Sequence, residues 1–382
     1  MRKIKIVFLH WCLVCGGAET ALYDLINLLD KNIFDITIFS IYGGGEWEEK
    51  FLATGVKILN SYSGINQSGS LCGKIYNFVR AKLVKYALSH GGRGLLKVCT
   101  PNDYDIIVSF HVGDAFQYAG FSGNAKTIQY IHGDVATNAD LMNTLVRNKE
   151  LQKQYDKIIC VSEHAKQSYL RYIGSNDRIC MCYNPIDSKR IMELSMEKPE
   201  KRIEGQYICA VGRLTKAKGY VRLVQIFKQL IDNGINTQLL IVGEGPERPN
   251  IENAIQKCGL HNKVILVGHT NNPYPYIRNT QFTVCSSYTE GLHLVSMESL
   301  SLGVPVVSIF PTVAEIIGNE PCGIVVDNER DFYQAMERLL NDKVYYEKIK
   351  SAAIKRSHDF SGNVMIKKVE QEYISLLDNP TI

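Results

Sequence analysis

The stretch FTVCSSYTEGLHLVSMESLSLGVPVVS, residues 282–308, decides the fold. Two short apolar runs, Phe282 to Cys285 and Val304 to Ser308, flank a loop and an apolar segment of helical character, so the stretch reads as strand, helix, strand. Strands joined through a crossover helix pair in parallel, and ligands bind such sheets beyond the strands' carboxyl ends. The loop that follows Cys285 is therefore the first place to look for chemistry.

Outward from this unit the same alternation continues. Strand-type runs occur at Tyr207 to Val211, Thr237 to Val242, Lys263 to Val267 and Gly323 to Val326, with helices predicted at Tyr220 to Asn233 and Glu247 to Lys257. The first half repeats the pattern with Ile4 to Leu9, Ile36 to Ile41, Ile106 to Phe110, Thr127 to Ile131 and Lys157 to Val161. A charge-rich stretch from Lys189 to Glu204 follows Pro185 and reads as helix plus linker. At 382 residues the chain exceeds what one core usually organises. The expectation is α/β, with two facing doubly wound, Rossmann-like parallel-sheet domains and a ligand cleft between them. Their expected limits are 1–188 and 189–362, and a terminal helix, 363–382, with Ile366, Val369, Tyr373 and Leu377 on one face, is expected to pack back across both.

Composition narrows the function classes. With 45% hydrophobic and 21% charged residues and no apolar run near the ~20 needed to span a bilayer, the sequence is that of a globular protein rather than an integral membrane protein. A net charge of +4 is too small to argue for nucleic acid as a partner. Eleven cysteines, odd in number and scattered, fit reduced thiols in a cytoplasmic setting, most of them small core residues. Arg2, Lys3 and Lys5 ahead of Ile6 to Leu9 imitate a signal peptide, but His10 and Trp11 interrupt the run, and it reads as a buried strand.

Three elements carry chemistry. In EGLHLVSME, Glu290 and Glu298 are separated by seven residues; with a helix starting near Leu292, one carboxylate precedes it and the other lies about two turns inside. Unpaired N–H groups at that helix start suit a diphosphate, and ionised carboxylates accept from sugar or ribose hydroxyls. In GRLTKAKG, Arg213 and Lys218 follow the strand Tyr207 to Val211, where two cations suit a leaving diphosphate and stand in for a metal. In GGAE, Gly16 and Gly17 between the first strand and a helix let backbone approach a phosphate or sugar. Each element alone has a plainer explanation as surface charge or tight turn, and the absence of G-x-G-x-x-G argues against a nicotinamide dehydrogenase.

Together and in this order these elements, with GEGPER at Gly243 to Arg248, resemble glycosyltransferase family 4. The resemblance covers most of the chain and is best in the second half. It implies a GT-B fold and a retaining transferase that moves a hexose or N-acetylhexosamine from a nucleotide diphosphate sugar, with UDP the expected carrier, to a glycan acceptor, which the basic segment Leu71 to Lys97 leads one to expect as a lipid-linked glycan. It implies Arg213 and Lys218 on the donor diphosphate, Glu298 on the ribose and Glu290 near the donor sugar. His132 of IHGD then faces that sugar. The wider donor-binding set is Gly16, Gly17, Gly243, Gly268, Gly291, Leu292, Leu294 and Val295. No cofactor or metal is expected, and bacterial capsule, exopolysaccharide or lipopolysaccharide assembly is the implied setting. A nucleotide-sugar epimerase of the same fold and a non-catalytic sugar-binding partner of a transferase are the alternatives.

Three further strings compete for a function. Asp103-Tyr104-Asp105 is a D-x-D string, yet it precedes its strand and so sits at the wrong edge for a ligand. Trp11-Cys12-Leu13-Val14-Cys15 imitates a redox motif without the domain that would surround it. The segment Leu71 to Lys97 places Lys74, Arg80, Lys82, Lys85, Arg93 and Lys97 among apolar residues with no acid, the pattern of a helix that lies on an anionic membrane surface. It predicts a peripheral location at the inner face of the cell membrane.

Overall fold

The computed structural model describes residues 2–14, 16–61, 71–90, 94–99, 103–112, 124–175 and 177–378. Strands covered by helices on both faces have no solvent side, which is why the apolar runs are continuous rather than alternating. The first sheet contains β1 (Ile4–His10), β2 (Phe34–Ser40), β3 (Lys57–Asn60), β4 (Ile106–Ser109), β5 (Lys126–Ile131), β6 (Lys157–Cys160) and β7 (Ile179–Met181). Their order is β3-β2-β1-β4-β5-β6-β7, all parallel, with Ile6 of β1 against Ile36 of β2 on one side and Ile106 of β4 on the other. The second sheet contains β8 (Tyr207–Val211), β9 (Gln238–Val242), β10 (Val264–Gly268), β11 (Thr283–Cys285), β12 (Val306–Ser308) and β13 (Gly323–Val325), ordered β10-β9-β8-β11-β12-β13. Both orders reverse direction once, between β1 and β4 and between β8 and β11, which leaves a crevice at the carboxyl ends of those strands in each unit.

The chain divides into two compact units. One comprises residues up to Pro185 together with those from Ile366 onward, the other Ile186 to Met365. The second unit's core packs Ile208, Val224, Phe227, Leu239, Ile241 and Phe282 between sheet and helices. Its segment read as helix plus linker contains the helix Ser188–Ser195, started by Asp187, whose carboxylate accepts from the Arg190 N–H at 3.0 Å.

The first unit closes on the terminal helix Gly362–Asp378. Tyr373 is fully buried between the rings of Phe8 and Phe34, and its hydroxyl shares a 2.8 Å hydrogen bond with that of Tyr130 on β5. Lys157 at the start of β6 pairs with Glu372, and Glu370 accepts from the Asp30 N–H at 2.8 Å. Apolar rings supply the burial, and the polar contacts fix the rotation of the helix on the sheet.

Replacing Tyr373 by Phe should lower stability by about 1–2 kcal/mol, because the Tyr130 hydroxyl loses its buried partner. Urea unfolding should show the double variant Tyr130→Phe/Tyr373→Phe recovering part of that loss. Additive losses would mean the two hydroxyls are not coupled.

Candidate active site

In the second unit the crevice beside β8 and β11 is built from backbone before side chains. The loop after β8 is tied to the loop after β9 by Gly212 N–H to Val242 O (3.0 Å), Leu214 N–H to Glu244 O (2.9 Å) and Glu247 N–H to Leu214 O (2.9 Å). It is tied to the loop after β11 by Tyr288 N–H to Ala217 O at 2.7 Å. Two glycines permit this crowding. Gly243 has φ +140° and a Cβ there would lie 2.1 Å from the Gly212 carbonyl oxygen; Gly219 has φ +65° and a Cβ there would lie 2.2 Å from that of Ser286.

On this frame Lys218 Nζ donates to Glu290 Oε1 at 2.5 Å, and the Ser287 hydroxyl donates to the same oxygen at 2.7 Å. Burial alone would raise the Glu290 pKa, but the Lys218 ammonium, His293 and the two hydrogen bonds hold it below the usual carboxylate range. The carboxylate is thus ionised and acceptor-only at neutral pH. His293, which sequence reasoning passed over inside EGLHLVSME, is buried, hydrogen-bonded to Ser296 at 2.7 Å and to Cys285. Burial lowers its affinity for a proton, but the neighbouring Cys285 and Glu290 raise it further, so the net direction is up. Its only sequence signal was a position between the two glutamates.

The remaining sequence-predicted residues separate into three groups. Arg213 lies exposed on the β8 loop with no side-chain partner among the described residues. Gly243 and Gly268 meet backbone to backbone, Gly243 N–H to Gly268 O at 2.9 Å, while Gly291 and Leu292 are buried beside Glu290 in sequence. The helix begins at Leu294 rather than Leu292, because His293 takes up the non-helical residue before it, so Leu294 and Val295 form its first turn and Glu298 sits little more than one turn inside. Glu298 is buried and accepts from the Tyr274 hydroxyl at 3.1 Å.

In the first unit the corresponding crevice gathers imidazoles. His10 ends β1, His111 follows β4 and His132 follows β5. The His10 and His111 rings lie 5.7 Å apart, and Phe110 stands 4.5 Å from His132. His10 Nδ1 contacts the Cys12 carbonyl oxygen at 3.0 Å and its Nε2 lies 3.6 Å from Glu19 Oε1. His132 Nε2 is buried without a hydrogen-bond partner among the described residues. Burial, with His111 nearby, lowers the His10 pKa to about 4; burial, His111 and His10 lower that of His132 to about 3. All are neutral at pH 7, able to accept or donate one hydrogen bond without charge. Gly16 and Gly17 open the helix Gly17–Leu28, where a Cβ on Gly17 would meet nothing within 4 Å, whereas one on Gly16 would meet Glu19.

The three competing strings each have a local structural place. Asp105 accepts from the Lys5 N–H at 2.8 Å and from Arg2 at 2.7 Å, which fixes β4 against β1 at their amino ends. Cys15 lies outside the described residues. The basic segment forms the helices Leu71–Ser89 and Leu95–Cys99, but Arg80 is buried, so it does not belong to an outer basic face. Arg93 lies outside the described residues. Among the described residues no helix is long and apolar enough to cross a membrane.

Residues 192–356 match the family described as glycosyl transferases group 1, and residues 15–190 the one described as glycosyltransferase family 4. A Campylobacter jejuni relative, an N-acetylgalactosaminyltransferase named for N-acetylgalactosamine-N,N'-diacetylbacillosaminyl-diphospho-undecaprenol, is 28% identical over 55% of this chain and 60% of its own. The Staphylococcus aureus capsular polysaccharide biosynthesis glycosyltransferase CapM is 28% identical over 57% of this chain and 59% of its own. The matched stretch thus spans little more than half the length of these relatives. An uncharacterised Haemophilus influenzae glycosyltransferase is 24% identical over 95% of this chain and 96% of its own. The crystal structure of Anabaena HepE in complex with UDP and glucose superposes with a TM-score of 0.75 over 97% of this chain and 100% of that one, at 17% identity, a likeness of fold.

The buried imidazoles predict an acid-labile first unit. Unfolded histidine titrates near 6.5, so below that pH the unfolded chain binds protons that folded His10 refuses until about pH 4. Stability should be level above pH 7 and fall as pH drops from about 6.5 to about 4. Chemical denaturation should show His10→Gln reducing that fall by about 3 kcal/mol; an unchanged fall would mean that His10 is not the group taking up the proton.

Proposed function

We propose, on the premise that the chain belongs to the family 4 glycosyltransferases of GT-B fold, that it transfers a hexose or N-acetylhexosamine from a UDP-sugar to a lipid-linked glycan during assembly of a bacterial surface polysaccharide, with retention at the anomeric carbon. The observation that carries the reading is the Lys218 ammonium held at the β8–β11 crevice by Glu290. A diphosphate that enters there meets a cation already positioned and desolvated, with Arg213 exposed on the same loop. The relative named for a diphospho-undecaprenol substrate and the relative named for capsule synthesis support the acceptor class. The structural neighbour with bound UDP supports the carrier.

In this reading the bond from the anomeric carbon to the donor's phosphate oxygen breaks with its electron pair going to phosphate. Lys218 and Arg213 stabilise that developing charge. The acceptor hydroxyl attacks from the same face, and the leaving phosphate oxygen takes its proton, so no side chain need act as nucleophile. Glu290 and His132 accept from sugar hydroxyls and orient the ring. Glu298 and Tyr274 form a polar wall for the ribose.

The test incubates purified protein with a panel of nucleotide sugars, with and without lipid-linked acceptors, and follows released nucleotide diphosphate and product mass. Acceptor-dependent release of UDP is expected, with Lys218→Ala lowering kcat about a hundredfold and KM little. Isomerisation without release would replace this reading with an epimerase, and binding without turnover with a non-catalytic partner.

The membrane-surface part of the proposal rests on the helix Leu71–Ser89, whose exposed face carries Leu71 (75% exposed), Ile75, Phe78, Val79, Leu83 and Tyr86 beside exposed Lys74, Lys82 and Lys85. Apolar groups at a headgroup boundary with ammonium groups above them suit anionic lipid. Sedimentation with vesicles rich in anionic lipid should show affinity falling about fivefold for each of these lysines changed to Gln at low salt. Equal binding to zwitterionic vesicles, or no loss in the triple variant, would remove the lipid surface from the account.

A further inference from the structure

Cys180 and Cys182 stand two positions apart at the edge strand β7, so their side chains leave the sheet on the same face. The terminal helix lies on that face and brings Glu372 to them. The two Sγ atoms and a Glu372 carboxylate oxygen all lie within 4.8 Å of one another. Cys182 is buried, while Cys180 and Glu372 are partly open to solvent. Neither the glycosyl-transfer reading nor the core packing needs this arrangement, since a buried strand end is filled as well by alanine or valine.

We infer that Cys180, Cys182 and Glu372 form a binding site for a thiophilic divalent cation of the zinc class. Two thiolates select a soft or borderline ion over magnesium or calcium, which take oxygen. Around zinc, with Zn–S about 2.3 Å and Zn–O about 2.0–2.2 Å, tetrahedral ligand atoms lie about 3.5–3.8 Å apart, so the three groups need close by no more than about 1.3 Å to bind. Water completes the fourth position on the open side.

Charge and hydrogen bonding fit the same ion. Lys157 engages Glu372 Oε2 and also lies 3.2 Å from the Glu372 carbonyl oxygen and 3.3 Å from the Ser375 hydroxyl, which leaves Oε1 to the cation. Two thiolates and one carboxylate carry three negative charges, and a divalent ion with the Lys157 ammonium cancels them. Binding releases the two thiol protons to solvent, so affinity rises with pH. Because the ligands come from segments far apart in sequence, an ion held there pins the terminal helix to β7 and stabilises the first unit by linkage.

The test uses the full-length chain, reduced and stripped of metal, titrated with Co2+. One equivalent should bind with a thiolate-to-cobalt charge-transfer band and a raised Tm. Cys180→Ser/Cys182→Ser should abolish the band, Glu372→Gln should weaken binding at least about tenfold, and Cys72→Ser and Cys258→Ser, at cysteines that are not buried, should change neither. Should the double variant not fold, alkylation of the wild-type chain with and without Zn2+ gives the same answer, with shielding located by peptide mass at positions 180 and 182. A wild-type titration without a thiolate band, or shielding that falls on other cysteines, overturns the assignment.

Discussion

A lysine ammonium held against a buried carboxylate sets the character of the second unit's crevice. Two such charges withdrawn from water cost several kcal/mol unless hydrogen bonds satisfy what each leaves over, and the Ser287 hydroxyl on Glu290 does part of that. The pair also spans two loops that no regular structure joins, one after β8 and one after β11. Their backbones are therefore braced directly, by Tyr288 on Ala217 and by the Ser286 hydroxyl on the Lys218 carbonyl at 2.8 Å. Glu290 acts as an internal anion that holds Lys218 in place, so the ammonium is positioned by the fold itself rather than left as a mobile side chain.

The first unit offers the opposite electrostatics at the equivalent place in its sheet. Three imidazoles, kept neutral by burial and by each other, gather there, with Glu19 at 3.6 Å from His10. Neutral donors and acceptors orient hydroxyls without attracting phosphate. The same strand order thus carries a lysine–glutamate pair in one unit's crevice and a group of neutral imidazoles in the other's, a difference written in the loops.

Most of the fold was legible because parallel strands buried on both faces must be apolar throughout, and β1, β2, β4, β5 and β6 declare themselves that way. The two edge strands of the first sheet did not. In β3 the residues Lys57 and Asn60 flank only two apolar positions, and β7 is apolar but only three residues long, ahead of the polar Tyr183 and Asn184. The Lys218 and Glu290 pair was legible as two motifs, since each brings its charge to a strand's carboxyl end. Their contact was not, because nothing local says that Glu290 turns toward the β8 loop. His293 was hidden for a related reason: a histidine before a helix has no spacing partner, and its neighbours Cys285 and Glu290 are found only when the loop is folded. The basic segment Leu71 to Lys97 reads as one amphipathic helix, whereas the structure has the helices Leu71–Ser89 and Leu95–Cys99, and the sequence could not show that Arg80 is buried.

The terminal helix has a consequence for biosynthesis. The first unit needs Tyr373 in its core and Glu372 on Lys157, yet these residues are translated after the whole of the second unit. On the ribosome the earlier-made sheet therefore waits with the Phe8 and Phe34 side of its core uncovered, while the later-made unit already has its full sequence and can fold around its own core. The last helix is therefore the late event that completes the first-made half.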